Sequence, residues 1–436
     1  MRRMSHLRVI ALGFFLIIAL GTALLSLPWA AAGQRASFST ALFTAVSAAC
    51  VTGLSVVETA SFWSPLGQGV ILLLIQVGGL GFMTLAVMGS LLLRRRVGLR
   101  NRELMLESVN LSGLGGAARL TRRILAVTLV CEGLGAAALA ARFLPRFGPG
   151  RGLWLAVFHS VSAFCNAGFD LLGSSFAEYA GDGLVNAVLM ALIIAGGLGF
   201  LVWDDLLSWG LRPRYWRTHT KVVLSVTAVL ILGGAGALFW LEAGFTGAGK
   251  LLPTRLLEAL FGSVTARTAG FYTVDTAALS PGGKLVTMVL MFIGGSPGST
   301  AGGIKTTTAL ILLVHTWGTV RREQSIHLFG RRIDQETLSK ASAVCATNLL
   351  LALGGALMLC GGSGLALTDA LFECVSAIST VGMSTGVTAA LSGPPLFAVA
   401  FLMYCGRVGS TSFALALLER RARPPVDYPV GKFIVG

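Results

Sequence analysis

Charged residues are scarce in this chain, and that scarcity limits its class more than any other feature. Only 12% of the 436 residues are charged, whereas a soluble globular domain carries about 25%. Hydrophobic residues make up 54%, and several runs are long enough to cross a bilayer core of roughly 30 Å as a helix. The composition excludes a separate soluble domain and predicts a polytopic helical membrane protein.

Paired cysteines and clustered histidines are also lacking. The seven cysteines form no CxxC pair, and the five histidines form no cluster with Asp or Cys. A disulfide framework or a zinc site needs such spacings, and a catalytic centre needs a nucleophile beside a base. The sequence therefore predicts buried structural cysteines, no organic cofactor, no metal beyond a transported ion and no enzyme.

Most of the positively charged residues lie in alternate loops between the predicted helices. The net charge is +15, and most of the 34 Lys and Arg lie near the N-terminus and in 94–123, 212–221, 321–340 and 420–432. This positive-inside pattern predicts a multi-pass plasma-membrane protein with both termini cytoplasmic. The basic segments 94–102 and 321–332 are expected to meet anionic lipid or a cytosolic partner. A nucleic-acid partner is not expected, because no soluble domain presents these charges.

One short pattern recurs four times, and it organises the chain. It reads LFTAVSAACVTGLS at 42–55, VFHSVSAFCNAGFD at 157–170, ALFGSVTARTAGFY at 259–272 and LFECVSAISTVGMS at 371–384. Each copy ends near one glycine, and a Gly-rich patch follows after 25, 28, 24 and 24 residues. Such periodicity indicates four structural units, which are predicted as 1–100, 101–218, 219–333 and 334–436.

Each unit is predicted to be a helix, a re-entrant half-helix with a glycine loop, and a second helix. The expected class is an all-α membrane protein with eight transmembrane helices around a pseudo-fourfold pore. The predicted segments are 8–31, 38–49 and 66–93 in unit 1; 121–143, 152–164 and 182–208 in unit 2; 220–241, 253–266 and 282–316 in unit 3; and 338–362, 367–378 and 394–419 in unit 4. Non-helical backbone at membrane depth persists only where it lines a watery cavity or is buried in protein.

The four glycine loops are predicted to form one cation site. Glycine reaches backbone dihedrals closed to other residues, so backbone carbonyls can point at a shared axis and replace the water of a cation. The half-helix before each loop also directs its negative end at the cavity. The predicted filter residues are Val51, Thr52 and Gly53; Asn166, Ala167 and Gly168; Thr268, Ala269 and Gly270; and Thr380, Val381 and Gly382.

These loops, their spacing and the segment GGSPGSTAGGIKTTT at 294–308 resemble the Trk/Ktr/HKT superfamily of potassium transporters over nearly the whole chain. The likeness is greatest to the KtrB membrane subunits, since no extra helices precede unit 1. The resemblance implies potassium uptake, a homodimer with the C-terminal tail at its interface, a cytosolic KtrA-like nucleotide-binding ring subunit, and activation by sodium. In plant HKT relatives a serine at the first filter glycine marks sodium transport, and Gly53 fits the potassium-selective pattern.

The second helix of unit 3 is predicted to be broken, because Pro removes a helix hydrogen bond and Gly lowers helix propensity. The resemblance implies that this break is a gate below the filter. The predicted gate residues are Gly294, Gly295, Ser296, Pro297, Gly298, Ser299, Thr300, Ala301, Gly302, Gly303 and Lys305, together with Arg407. A buried charge such as Arg407 is costly in a membrane and indicates a functional site, although pairing with Glu373 or capping by carbonyls is an alternative.

Several side chains outside the filter and gate carry secondary expectations. Arg267 is expected to brace the pore loop, against Glu258. The acidic residues Glu58, Asp170, Asp275 and Glu373 are expected either to concentrate cations at the outer mouth or simply to be solvated.

Two other function classes remain open on the sequence alone. A secondary transporter of an organic solute would need inverted halves, whereas these units run in the same direction. A membrane scaffold would use its glycines only to pack helices.

Overall fold

The structure, a computed structural model, describes residues 6–81, 117–210, 212–323 and 327–409. The basic segment 94–102, the distal parts of the predicted helices 66–93 and 394–419, and the C-terminal tail lie outside the described residues. Within them the fold is almost entirely helical, with one two-stranded hairpin formed by β1 (His327–Leu328) and β2 (Arg331–Arg332).

Fifteen α-helices follow one another along the described parts of the chain. Unit 1 contains α1 (His6–Leu25), α2 (Phe38–Ala49), α3 (Thr59–Phe62) and α4 (Pro65–Leu80). Unit 2 contains α5 (Ala117–Phe147), α6 (Pro149–Cys165), α7 (Gly183–Gly197) and α8 (Phe200–Trp209). Unit 3 contains α9 (Thr218–Leu241), α10 (Leu252–Thr265), α11 (Pro281–Phe292) and α12 (Thr306–Val320). Unit 4 contains α13 (Gln335–Ser363), α14 (Leu367–Ile378) and α15 (Pro394–Val408).

The four short half-helices are confirmed. The bounds of α2 and α14 are the predicted 38–49 and 367–378, and α6 and α10 differ from prediction only at their ends. Local chemistry explains where α2 begins, since the Ser37 side chain accepts a hydrogen bond from Thr40 N at 3.2 Å and so satisfies a free N–H group. Proline in the first turn of α6 and α10 fits the same position, where no N–H is needed.

The first helix of each unit is long and apolar enough to cross a membrane. The spans are Arg8–Leu25, Thr121–Phe147, Thr218–Leu241 and Gln335–Ser363. Much of their surface is exposed and hydrophobic, including Leu20, Leu134, Leu232 and Leu357, as expected for helices that face lipid. The chain is therefore a multi-pass membrane protein.

In units 1, 2 and 4 the second helices are not the continuous helices that the sequence predicts. In unit 2 the predicted helix 182–208 is wrong, because α7 and α8 meet at an angle of 98°. The bend occurs at Gly199, whose φ is 93°, a value that favours glycine. In units 1 and 4 the helices end at the corresponding glycines, Gly81 and Gly409, with φ of 77° and 91°. In unit 3 the predicted break is confirmed, since no helix covers 293–305.

A repeated contact shows how each first helix packs inside its own unit. A glycine on the first helix faces a leucine of the second helix, so closely that a Cβ atom on the glycine would lie 2.6–2.7 Å from that leucine. The pairs are Gly21 with Leu74, Gly135 with Leu192, Gly234 with Leu290 and Gly355 with Leu402. The four units therefore share one internal packing arrangement, which the sequence reasoning missed.

The Gly-rich patches of the second helices pack on the ends of the half-helices. In units 1, 2 and 4 a Cβ atom on Gly78, Gly196 or Gly406 would lie closer than 3.0 Å to a carbonyl oxygen. Those oxygens belong to Ala49, Phe164 and Ile378, each four residues before its filter glycine. This contact explains the similar spacing between loop and patch in these three units. In unit 3 the matching Gly294 instead faces the carbonyl of Gly302.

The substitution Gly78→Ala tests this contact. The added methyl would overlap the Ala49 carbonyl, and such overpacking typically costs about 1–3 kcal/mol, so the melting temperature in detergent should fall by roughly 2–8 °C. Gly69→Ala in the same helix is the matched control, because nothing lies within 4 Å of its Cβ position. Equal melting temperatures for the two variants, measured by size-exclusion after heating, would contradict the assigned contact.

Candidate functional site

The four glycine loops share one unusual backbone conformation. Each filter glycine has a positive φ: 96° at Gly53, 68° at Gly168, 84° at Gly270 and 91° at Gly382. The residue two positions earlier also has a positive φ, with values of 57° at Val51, 58° at Asn166, 79° at Thr268 and 49° at Thr380. Positive φ is uncommon for residues other than glycine, and a β-branched residue in this conformation is strained. Val51, Thr268 and Thr380 are β-branched, so the strain in these three turns indicates that they are held by their surroundings.

The four turns close into a ring in chain order. A Cβ atom on Gly53 would lie 2.5 Å from the carbonyl oxygen of Ala167, and one on Gly168 would lie 2.8 Å from that of Ala269. Gly270 faces the Val381 carbonyl and Gly382 faces the Thr52 carbonyl in the same way. Each unit therefore touches the next, and unit 4 touches unit 1. All twelve predicted filter residues lie in these turns.

Polar atoms without protein partners concentrate at this ring. The side-chain hydroxyls of Thr52, Thr268 and Thr380 and the amide oxygen of Asn166 are buried and find no hydrogen-bond partner among the described residues. Buried polar atoms are normally satisfied by protein or by a ligand. Together with the four carbonyls they give the ring an excess of oxygen, the ligand type that alkali cations bind.

Each turn is braced by a hydroxyl from its own half-helix. Ser47 and Ser376 accept hydrogen bonds from the N–H groups of Gly53 and Gly382, both at 3.1 Å. Ser162 donates to the Phe169 carbonyl at 2.9 Å, and Thr265 donates to the Phe271 carbonyl at 2.6 Å. Sequence reasoning missed these four residues, although the Val-Ser or Val-Thr pair at 46–47, 161–162, 264–265 and 375–376 was a signal that could have found them.

The broken segment of unit 3 lies directly against the turns of units 2 and 4. The Asn166 amide donates to the Thr300 hydroxyl at 3.0 Å, and that hydroxyl donates to the Phe164 carbonyl at 3.1 Å. On the other side, a Cβ atom on Gly302 would overlap the Thr380 hydroxyl. The loop thus contacts two opposite quarters of the ring.

The same loop is fixed to the bend of unit 2 through its backbone. Ser296 N and Thr300 N donate to the carbonyls of Gly197 and Gly196 at 3.0 and 3.2 Å, and Phe200 N donates to the Gly298 carbonyl at 2.8 Å. The remaining predicted gate residues Gly294, Gly295, Pro297, Ser299, Ala301 and Gly303 lie in this loop.

Arg407 joins the loop to two other units. Its guanidinium donates to the Thr300 carbonyl at 2.6 Å, to the Gly78 carbonyl, and to the Gly79 carbonyl at 3.4 Å. Of the two alternatives, the pairing with Glu373 is wrong, whereas the capping of Arg407 by carbonyls is observed. Glu373 is fully buried elsewhere and accepts hydrogen bonds from Ser384, from Thr388 at 2.7 Å and from Thr385 N at 3.1 Å.

Lys305 and Arg267 bond to different parts of the chain. Lys305 precedes α12, and its ammonium donates to the Ala301 carbonyl at 2.7 Å, which closes the loop on itself. The expected pair between Arg267 and Glu258 is wrong, because Glu258 pairs with Lys250 at 2.7 Å. Arg267 reaches Thr227 on α9 at 3.4 Å and is buried beside the turn of unit 3.

Three of the four expected mouth carboxylates lie around one side chain beyond the ring. Burial raises the pKa of the Tyr272 phenol, and the negative charges of Asp170, Asp275 and Glu58 add to the effect. Glu58 and Asp275 are exposed, so they can attract cations from solution. Glu373 does not belong to this group, because it is buried.

Comparison with known proteins shows to which family the chain belongs. A family model described as the cation transport protein TrkH matches residues 14–421. The chain belongs to the TrkH family. The potassium/sodium uptake protein NtpJ of Enterococcus hirae is 39% identical over 100% of this chain and 98% of its own length. The Ktr system potassium uptake protein B of Bacillus subtilis is 36% identical over 100% and 97%.

A solved TrkH-family structure shares the fold. The crystal structure of the potassium transporter TrkH from Vibrio parahaemolyticus matches with a TM-score of 0.75, covering 95% of this chain and 86% of that one. Sequence identity is 19%, so the likeness shows the fold alone.

Thr300→Val tests how the loop is held beneath the ring. The variant keeps the side-chain shape but removes both the acceptor for Asn166 and the donor to the Phe164 carbonyl. A lost hydrogen bond of this kind costs about 1–3 kcal/mol, so amide exchange in peptides covering 293–305 should accelerate about tenfold. Ser299→Ala is the control, since its hydroxyl bonds only to Ser296 within the loop, at 2.7 Å. Exchange rates for Thr300→Val that equal those of the control would contradict this anchoring.

Proposed function

We propose that this protein takes up potassium through the ring formed by its four glycine turns. The observation that carries the proposal is the closed order of contacts, in which each filter glycine meets the carbonyl of the next unit. A ring of backbone carbonyls replaces the hydration shell of a monovalent cation. The membrane potential favours inward movement by about 2.3 kcal/mol per charge for each 100 mV, so uptake needs no bound fuel.

Potassium is the proposed ion for two reasons. Similar proteins carry names of potassium or potassium/sodium uptake proteins. The first filter position is Gly53, without the serine that marks sodium transport in HKT relatives. Sodium is proposed as an activator rather than the main cargo, and no organic cofactor is expected in this chain.

The loop at 293–305 is proposed as the gate and Arg407 as its latch. The loop lies against the turns of units 2 and 4, and Arg407 binds both the loop and the end of α4. A positive charge near a pore raises the energy of a passing cation, by about 4 kcal/mol at 4 Å for an effective dielectric constant of 20. Opening therefore requires the loop and the guanidinium to move together.

The proposed assembly is a homodimer regulated by a cytosolic nucleotide-binding ring subunit of the KtrA type. The name of the Bacillus subtilis relative places it in a Ktr system, which supports a multi-component transporter. The proposed orientation keeps both termini cytoplasmic, where the basic segments can meet such a partner or anionic lipid.

Rubidium flux into proteoliposomes tests the function directly. We expect accumulation driven by an inside-negative potential, with potassium competing more strongly than sodium. A membrane scaffold would give no flux, and an organic-solute transporter would give none with alkali ions alone. Either result would reject the proposal.

Gly53→Ser tests the filter. The added side chain would lie 2.5 Å from the Ala167 carbonyl on a backbone with φ of 96°. The ring must therefore distort, and the loss of its geometry should reduce the preference for potassium over sodium by about tenfold, the equivalent of 1.4 kcal/mol. Gly33→Ser is the control, because nothing lies within 4 Å of that position. An unchanged potassium-to-sodium competition ratio in Gly53→Ser would remove Gly53 from the filter.

Arg407→Ala tests the gate. Removing the guanidinium frees the Thr300 carbonyl and lowers the electrostatic barrier, so rubidium uptake without the partner subunit should rise at least severalfold, with assembly retained. Arg407→Lys keeps the charge but loses the paired donors, and it should stay close to the unmodified rate. The same uptake rate for the alanine variant and the unmodified protein would exclude Arg407 from gating.

A further inference from the structure

Two buried side chains outside the predicted filter make the same hydrogen bond in different units. His159 stands nine residues before Gly168, and Glu373 stands nine residues before Gly382. The N–H of Leu171 donates to His159 Nε2 at 3.1 Å, and the N–H of Thr385 donates to Glu373 Oε1 at 3.1 Å. Each donor is the third residue after its filter glycine, so the two contacts are structurally equivalent.

His159 is held in the one tautomer that can accept this bond. Its Nδ1 lies 2.7 Å from the Leu155 carbonyl, so Nδ1 carries the proton and Nε2 presents a lone pair. The imidazole is fully buried. Four phenyl rings surround it with centroids 5.1–6.5 Å away, those of Phe143, Phe158, Phe176 and Phe271. Phe271 directly follows the filter glycine of unit 3, so this aromatic box links two neighbouring turns.

Glu373 holds the segment after Gly382 through several bonds at once. Besides Thr385 N, its carboxyl accepts from the hydroxyls of Ser384 and Thr388. The side chain is fully buried, and among the described residues no basic side chain forms a salt bridge with it. A buried carboxyl with this many donors from one short segment fixes the path of that segment.

The two contacts occupy opposite sides of the ring. The turns follow one another in chain order, so units 2 and 4 face each other across the axis. Units 1 and 3 are built differently. Thr44 takes the equivalent place in unit 1, and its hydroxyl has no partner among the described residues. In unit 3 the segment after the glycine is tied to unit 2, through Tyr272 N and the Ser175 hydroxyl at 3.1 Å.

We propose that His159 and Glu373 are positioning residues that fix the outer rim of the ring from opposite sides and thereby set its selectivity among monovalent cations. This inference rests on the proposed function of the ring. Neither side chain touches the ion. Each accepts a hydrogen bond from the N–H of the third residue after a filter glycine. These two hydrogen bonds set the width of the outer rim between units 2 and 4.

Paired substitutions separate the hydrogen bond from the bulk of the side chain. His159→Phe fills the aromatic box but lacks the acceptor, whereas His159→Gln keeps an oxygen near the Nε2 position. Glu373→Met and Glu373→Gln form the same pair in unit 4. Phe43 and Phe372 are fully buried phenylalanines that directly precede the equivalent positions Thr44 and Glu373, so Phe43→Leu and Phe372→Leu are controls for lost packing alone.

The readout is the ratio of potassium to sodium competition in rubidium flux, compared with the uptake rate. We expect His159→Phe and Glu373→Met to move the ratio toward sodium by about tenfold, because each leaves a buried N–H without its acceptor. The two Gln variants and the two Leu controls should stay within about twofold of the unmodified ratio. If the two side chains only filled space, the Gln variants would not keep the selectivity that the Phe and Met variants lose.

The proposal is overturned if the Phe and Met variants shift the ratio no more than the Leu controls, or if a folded His159→Gln loses selectivity. Should His159→Phe fail to assemble, the Glu373 pair and His159→Gln decide by the same rule. Gly53→Ser distinguishes a failure of the positioning role from a failure of the proposed filter. If it changes the ratio and these variants do not, only the positioning role fails. If it leaves the ratio unchanged, the filter itself fails.

Discussion

The structure depends on four peptide carbonyls, each of which faces the filter glycine of a neighbouring unit. A Cβ atom at any of these glycines would lie closer than 3.0 Å to backbone, so a side chain there would force the ring to distort, and glycine lets it close without strain. The rest of the architecture serves this closure. Half-helices deliver the turns, their Ser and Thr hydroxyls brace the turns from behind, and long apolar helices hold the half-helices in place.

Unit 3 departs from the common plan at the point where function requires it. In units 1, 2 and 4 a second-helix glycine packs on a carbonyl at the end of the half-helix, whereas in unit 3 the matching Gly294 faces the carbonyl of Gly302 within the loop at 293–305. The loop bonds to the unit 2 turn, and Arg407 of unit 4 ties it to α4 of unit 1. The loop thus contacts units 2 and 4 directly and is linked to unit 1 through Arg407.

The sequence predicted those features of the fold that local patterns of residues determine. The half-helices, the four glycines and the break after Phe292 follow from periodicity and from the properties of Gly and Pro. The bend at Gly199 was missed because Gly-Gly-Leu-Gly-Phe at 196–200 also suits a continuous packed helix, and the backbone bonds that favour the bend come from the distant loop at 293–305. The partner of Arg267 was missed because Thr227 lies 40 residues earlier in the sequence. Lys250 lies only 8 residues from Glu258 and Ser384 only 11 from Glu373, but irregular turns bring these pairs together, and no helix or strand periodicity encodes them.

The ring has one further consequence, which concerns how such a protein changes over time. Its quarters are encoded at four separate places in a single gene, so one mutation alters one quarter and leaves three intact. A pore assembled from identical subunits would suffer every change fourfold. Here the residues around each glycine have already diverged, with Thr52, Ala167, Ala269 and Val381 in the same position. Ion preference can therefore drift by small increments, and each quarter is free to acquire its own supporting chemistry.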